Sequence, residues 1–343
     1  MAAWRQGRGE RLPLCAAAGV PFPGIRLSTR GGADAAQAGG GTLNLIESDG
    51  PQFSAERLRR SPPLLLHWRP VSPEKLGQHF LTGAGWREKI LAAIRPPAGS
   101  VWLEIGAGHG EMTALLARRV RRVVAVELDA SLAQRLREVT APLGTVEIVS
   151  GDVMALDLPA IVHSASGGAD RFHVYGNLPY YITSPILHHL FDSAARIESI
   201  HVVIQMEVAE RLTARPGSRA YGYLSILAQY HSRPEIRLRI PPGAFRPRPK
   251  VFSTLVSLTL PGGGAGLGIE DTGAFFDCVK LCFAQKRKTL WNNLRPAFGE
   301  ARARMILDAA GIESRERAEE LSLAQFAGVF RGAQATARGA PEK

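Results

Sequence analysis

Apolar positions along this chain fall into two textures. Beyond about Ser72, short apolar runs alternate with stretches of helical spacing, whereas before about Pro70 no periodicity is sustained. Residues 101–105, Val-Trp-Leu-Glu-Ile, form an apolar run that ends at glycines and gives way to helical spacing at 112–120. Residues 123–126 repeat the pattern, ending at Glu127 and leading into a helix-like stretch at 132–139. Further runs at 146–149, 172–175 and 201–205 bring the strand candidates to five. Such runs suit strands covered on both faces, and their alternation with helices predicts a doubly wound, mostly parallel α/β sheet. Two later candidates, 235–240 and 251–260, have no helix between them and predict an antiparallel hairpin at the sheet edge. Residues 261–268 read as a linker, after which helical spacing at 275–298, 301–310 and 323–330 predicts a small α-helical C-terminal domain. The expected division is 1–70, a disordered or dispensable extension with glycine runs; 71–260, the sheet domain; 268–335, the helical domain; and 336–343, a tail.

Charge adds to this picture. A formal net charge of +11 on 343 residues points to a polyanionic partner, because clustered Lys and Arg release counterions from phosphates. Three cysteines, Cys15, Cys278 and Cys282, supply neither a disulfide framework nor a four-ligand zinc site, and no metal is expected. Cys278 and Cys282 stand four residues apart in helical spacing and are expected to be buried thiols on one face. No apolar run approaches the roughly 20 residues that span a bilayer, so the chain is expected in a reducing, cytoplasmic compartment with no membrane.

Candidate chemistry sits at the strand ends. Leu103-Glu104-Ile105-Gly106-Ala107-Gly108-His109-Gly110 closes one strand and opens a helix. Glycines there let the backbone turn tightly and approach a ligand. A dinucleotide fingerprint is Gly-x-Gly-x-x-Gly, which sets pyrophosphate against a helix N-terminus. Here the spacing is Gly-x-Gly-x-Gly behind an acidic residue, which suits a cationic, phosphate-free ligand such as S-adenosylmethionine. Glu127, about 20 residues beyond the loop, is placed to accept both ribose hydroxyl protons. Asp152 follows the next strand and is placed to contact the adenine ring.

Asn177-Leu178-Pro179-Tyr180 follows the fourth strand. Methylation of the exocyclic amine of adenine requires holding that amine, because its lone pair is delocalised into the ring. The side-chain oxygen of Asn177 and the following backbone carbonyl can each accept an N–H, which aims the lone pair at a methyl donor. Pro179 stiffens the turn, and the ring of Tyr180 can stack on the base.

These residues, with Gly77-Gln78-His79-Phe80-Leu81, Val126-Glu127-Leu128-Asp129, Gly151-Asp152 and the run from Pro241 through Phe245-Arg246-Pro247-Arg248-Pro249-Lys250-Val251, occur in an order that resembles the KsgA-type ribosomal RNA adenine dimethyltransferases. Gln285-Lys286-Arg287-Lys288-Thr289-Leu290 is similar to that family's C-terminal helix. The resemblance covers about Leu76 to Phe330. It implies a Rossmann-like class I methyltransferase sheet, with 71–260 binding S-adenosylmethionine and 268–335 contacting RNA. It further implies N6,N6-dimethylation of two adjacent adenosines in a hairpin loop near the 3′ end of 16S rRNA, in the small (30S) subunit or its precursor, by a monomer. Cofactor contacts then fall on His79, Leu81, Gly106, Glu127, Asp152 and Asn177. His79 and Tyr181 stand where Asn is common in the family. Phe245 is expected to close on the target base opposite Tyr180, with Arg246, Arg248, Lys250, Lys286, Arg287 and Lys288 on phosphates. Alternatives are an Erm-type enzyme acting on 23S rRNA and a non-catalytic nucleic-acid-binding relative.

Overall fold

A computed structural model describes residues 79–338 of the chain. The expectations for the extension at 1–70 and for Cys15 therefore lie outside the described residues, as do the last residues of the tail.

Seven strands form one sheet: β2 (Val101–Ile105), β3 (Arg122–Glu127), β4 (Val146–Ser150), β5 (Phe172–Asn177), β6 (Ile197–Gln205), β7 (Arg233–Ile240) and β9 (Ser253–Thr259). Their order across the sheet is β4-β3-β2-β5-β6-β9-β7. The first five are parallel, while β9 runs antiparallel to both β6 and β7. The expected hairpin thus stands at one end of the sheet with only β7 on the edge. Between its strands, the two-residue β8 (Phe245–Arg246) pairs antiparallel with β1 (Phe80–Leu81), a link between distant segments that no periodicity announces.

Residues of the central strands alternate between two apolar layers, because successive side chains on a strand point to opposite faces. Val101, Leu103 and Ile105 enter one layer, and Trp102 enters the other. The first layer continues without a break into the C-terminal helices through Phe275, Leu290, Leu307 and Phe326. The second lies beneath α1 (Ala84–Ile94), α2 (Glu111–Ala117) and α3 (Ala130–Thr140) and contains Phe245.

Local chemistry sets the helix boundaries. Asp129 caps α3 by accepting from Ser131 N–H at 2.8 Å and Leu132 N–H at 3.1 Å. Asp157 caps α4 (Leu158–Ser166), which stops at Gly167 in the left-handed region. After β5 come α5 (Thr183–Asp192), then α6 (Met206–Thr213) and α7 (Tyr223–His231) ahead of β7. The single helix expected at 275–298 is two: α8 (Thr272–Cys282) and α9 (Leu290–Phe298). Asn293 holds the break, its amide donating to Cys282 carbonyl at 2.7 Å and its oxygen accepting from Gln285 N–H at 3.1 Å. Lys286, Arg287 and Lys288 consequently lie on an exposed turn between helices instead of along one. Then follow α10 (Glu300–Ala310) and α11 (Leu323–Arg338), so the expected tail begins inside a helix. Cys282 is buried as expected, whereas Cys278 is only half-buried. Among the described residues, no helix is long and apolar enough to cross a membrane.

Candidate active site

The carboxyl ends of β2, β3, β4 and β5 lie side by side, so each loop that follows them opens on the same edge of the sheet. An open cleft lies there, lined by His79, Phe80, Gly106, Gly108, Glu127 and the stretch Asn177, Leu178, Pro179, Tyr180.

The glycine loop has φ of 70° at Gly106, 57° at Gly108 and 83° at Gly110, all in the left-handed region that side chains resist. A Cβ on Gly108 would stand 3.0 Å from the Phe80 ring, so this position needs glycine on two counts. The turn delivers Gly108 N–H to Glu127 Oε2 at 2.8 Å, while Asp129 N–H reaches Glu127 Oε1 at 3.0 Å. With one backbone donor on each oxygen, the Glu127 carboxylate is fixed in place and retains lone pairs for two further donors, such as adjacent ribose hydroxyls. Asp152 leaves β4 and accepts from Met154 N–H at 3.0 Å. Its charge lies close enough to Tyr181 that, after burial, it helps hold that phenol above its usual range.

Glu104 behaves differently from a wall charge. It is 2% exposed, and burial, opposed by the nearby Thr113 hydroxyl and reinforced by the charge of Glu127, pushes its carboxyl up to about 8. Its Oε2 and the neighbouring Thr113 Oγ1 are both buried without a well-formed hydrogen bond. In the free protein at neutral pH this carboxyl is therefore mostly protonated, and the negative charge facing the cleft comes from Glu127.

Asn177 ends β5, and its side-chain amide donates to the His79 carbonyl at 2.8 Å. A carbonyl can only accept, so the NH₂ must face His79 and Oδ1 is left as an acceptor. Leu178 N–H bonds to the Val203 carbonyl at 3.1 Å, tying the next residue to β6. Tyr180 is fixed from the other side, its hydroxyl 2.7 Å from Ser253 Oγ. His79 closes the cluster: its Nδ1–H donates to Pro247 carbonyl at 2.7 Å, and its ring lies 5.2 Å from that of Tyr180. The arrangement is an aromatic wall, an oriented amide acceptor and a carboxylate held by backbone donors within one cleft.

Not every expected residue joins it. His79, Gly106, Glu127, Asn177, Leu178, Pro179 and Tyr180 line the cleft; Leu81 and Asp152 do not. Leu81 is buried opposite Phe245, and its carbonyl accepts from Arg87 Nη1 at 2.7 Å. Phe245 corrects the expectation of a base sandwich. It is 0% exposed and packed in the layer beneath the cleft, so neither face of its ring is open to a base. Arg246, Arg248 and Lys250 on the same loop are exposed. Lys286 is exposed as well but donates to Arg219 carbonyl at 2.8 Å. Phe80, Ser253 and the carbonyl of Pro247 also shape the cleft, and no spacing rule singles them out. The signal for Phe80 and Pro247 lies in the β1–β8 pairing and that for Ser253 in the pairing of β9 with β6, both properties of the fold.

Among solved structures, a dimethyladenosine transferase from Plasmodium falciparum matches with a TM-score of 0.63 at 22% identity, over 73% of this chain and 96% of its own. The 23S rRNA methyltransferase ErmE matches with a TM-score of 0.58 at 24% identity, over 74% and 99%. At such identities the likeness speaks for the fold alone, a class I methyltransferase sheet with a helical C-terminal region. Residues 72–334 match the family described as Ribosomal RNA adenine dimethylase. The Ribosomal RNA small subunit methyltransferase A of Acidobacterium capsulatum is 45% identical over 258 residues, 75% of this chain and 89% of that protein. Its namesake from Koribacter versatilis is 39% identical over 270 residues, 76% and 94% respectively. The chain belongs to the ribosomal RNA adenine dimethylase family, whose members are S-adenosylmethionine-dependent methyltransferases.

Proposed function

We propose that this protein dimethylates the N6 amines of two adjacent adenosines in a hairpin loop near the 3′ end of 16S rRNA, in the small (30S) subunit or its precursor. The observation that carries the reading is Asn177, whose amide is committed to the His79 carbonyl so that its oxygen remains as an acceptor beside Tyr180. An adenine stacked on Tyr180 then donates one amine N–H to Asn177 Oδ1 and the other to the following backbone carbonyl. That geometry drains the lone pair from the ring and turns it toward the donor side of the cleft.

The donor side fits S-adenosylmethionine. The glycine loop approaches without side chains, and Glu127 retains lone pairs to accept ribose hydroxyls. His79, Gly106, Glu127 and Asn177 hold it from the cleft in this reading, with Leu81 and Asp152 bordering the cleft. When bound, it supplies an electrophilic methyl group on a cationic sulfur. Residues 71–260 bind the donor and present the amine acceptors, and residues 268–335 contribute RNA contacts through Lys286, Arg287 and Lys288 alongside Arg246, Arg248 and Lys250. The protein acts as a cytoplasmic monomer in small-subunit biogenesis.

The names carried by the Acidobacterium and Koribacter relatives support the small subunit over an Erm-type target in 23S rRNA. Mapping dimethyladenosine across both rRNAs, in cells with and without the protein, tests the reading. Loss of two adjacent dimethyladenosines from 16S rRNA is the expected result. An unchanged 16S map, or a loss confined to 23S rRNA, would overturn it.

A further inference from the structure

Among the described residues, two phenyl or phenol rings are largely exposed: Tyr181 at 51% and Phe252 at 52%. Both are chain neighbours of the Tyr180–Ser253 pair that fixes the aromatic wall of the cleft. Tyr181 follows Tyr180 in the chain, and Phe252 precedes Ser253, whose hydroxyl meets that of Tyr180 at 2.7 Å. Beyond that they part. Tyr181 lies toward Asp152 on the donor side. Phe252 lies at the entry to β9, where its carbonyl accepts from Met206 N–H at 3.0 Å, next to exposed Val251 and close in the chain to exposed Lys250 and Arg248.

A single exposed apolar ring is ordinary on a protein surface. Its place is what carries meaning here: a half-exposed ring, one residue before the Ser253 that holds the base-stacking wall, on a loop of exposed cations. Aromatic rings interleaved with backbone-contacting Lys and Arg are how proteins hold unpaired nucleotides. An adenosine drawn into the cleft also strips its chain neighbour of a stacking partner.

We propose that Phe252 stacks on the nucleotide next to the target adenosine, taking the place of the target base once that base has entered the cleft, with Arg248 and Lys250 on the intervening phosphates. The inference rests on the rRNA-methylation reading and extends it. Where two adjacent adenosines react in turn, the ring holds one while the other occupies the Tyr180 wall. Phe252 is thus a positioning residue on the substrate side, distinct from Phe245, which is buried.

The test compares the parent protein with Phe252→Ala and Phe252→Trp in single-turnover methyl transfer to under-methylated small subunits. Melting temperature and S-adenosylmethionine affinity are followed in parallel. Loss of one base–aromatic stack is expected to lower kcat/KM for RNA about tenfold in Phe252→Ala, with Phe252→Trp near the parent. A second readout uses a synthetic hairpin with 2-aminopurine 5′ or 3′ of the target. Binding should quench one of the two probes, and Phe252→Ala should relieve that quench. A folded Phe252→Ala protein within twofold of the parent in kcat/KM, or one that quenches both probes as the parent does, overturns the inference while leaving the methylation reading standing. A parent protein inactive on these subunits removes both.

Discussion

The donor side and the RNA side of the cleft are built on opposite plans. On the donor side, polar groups are already engaged: Glu127 holds backbone donors from Gly108 and Asp129, and Gly151 N–H bonds to its carbonyl at 2.9 Å. On the RNA side Arg248, Lys250, Arg287 and Lys288 are exposed, and no ion pair holds them among the described residues. A small donor of fixed shape is met by fixed backbone geometry, whereas a flexible polyanion is met by free cations that need only be near its phosphates. Changes on the first side should therefore be large and coupled, and changes on the second small and additive.

The largest effect should come where the two sides meet. Asn177→Ala removes the amine acceptor and the bond to the His79 carbonyl together. Losing one preorganised polar contact of this kind costs on the order of 100-fold in rate. Single-turnover transfer at saturating S-adenosylmethionine should show that loss while RNA binding is largely kept, since the exposed cations lie elsewhere. Transfer at the parent rate would take Asn177 out of the chemistry.

Next in size is Glu127→Ala. Charge-assisted hydrogen bonds are worth roughly 1.5–3 kcal/mol, which is about tenfold or more in affinity. Calorimetry should find weaker S-adenosylmethionine binding by a folded variant. Because Glu127 also pins Gly108, the double variant Glu127→Ala/Asn177→Ala should fall short of the summed single effects in donor affinity. Simple additivity would show that the donor side is not the preformed unit its hydrogen bonds describe.

Glu104 gives that side a pH signature. Its carboxyl titrates near 4.5 when unfolded and is raised to about 8 when folded. Between those values the folded state holds the extra proton, so its stability falls as pH rises through that window and levels off above it. Glu104→Gln keeps the neutral shape and should melt close to the parent at pH 5, then pull ahead by a growing margin toward pH 8, measured without donor. Parallel melting curves of the two proteins across that range would mean the carboxyl is already ionised in the folded state.

The same contrast explains what is legible in the sequence. The five parallel strands, the glycine loop, Glu127 and Asn177 are readable because each depends on local order: an apolar run, a turn only glycine allows, a polar residue at a strand end. The helix break at 283–289 is not, because Asn293 makes it by reaching back to Cys282 and Gln285 across residues whose spacing stays helical. Phe245 misleads for a related reason. A proline-rich loop beside a basic run reads as exposed, yet pairing of β8 with β1 turns that one ring inward while the arginine after it stays out. The aromatic ring left open, Phe252, sits seven residues further on, where local pattern shows only a strand start.

The smallest effects should belong to the free cations, and their arithmetic is the sharpest test of the contrast. Each of Arg248→Ala, Lys250→Ala and Arg287→Ala should weaken RNA binding only a few-fold and reduce the slope of log affinity against log salt by about one. No hydrogen bond or ion pair joins these three side chains to one another, so the triple variant should lose close to the summed free energy and about three units of slope. Methyl transfer at saturating RNA should stay near the parent rate, because none of the three touches the amine. Lys286→Ala offers a control within the same turn. Its ammonium is bound to the Arg219 carbonyl, so its removal should disturb the loop it tethers and not behave as one more independent phosphate contact. A triple variant whose salt slope matches the parent would place the RNA backbone on another face, and the division of the cleft into a fixed side and a free side would fail.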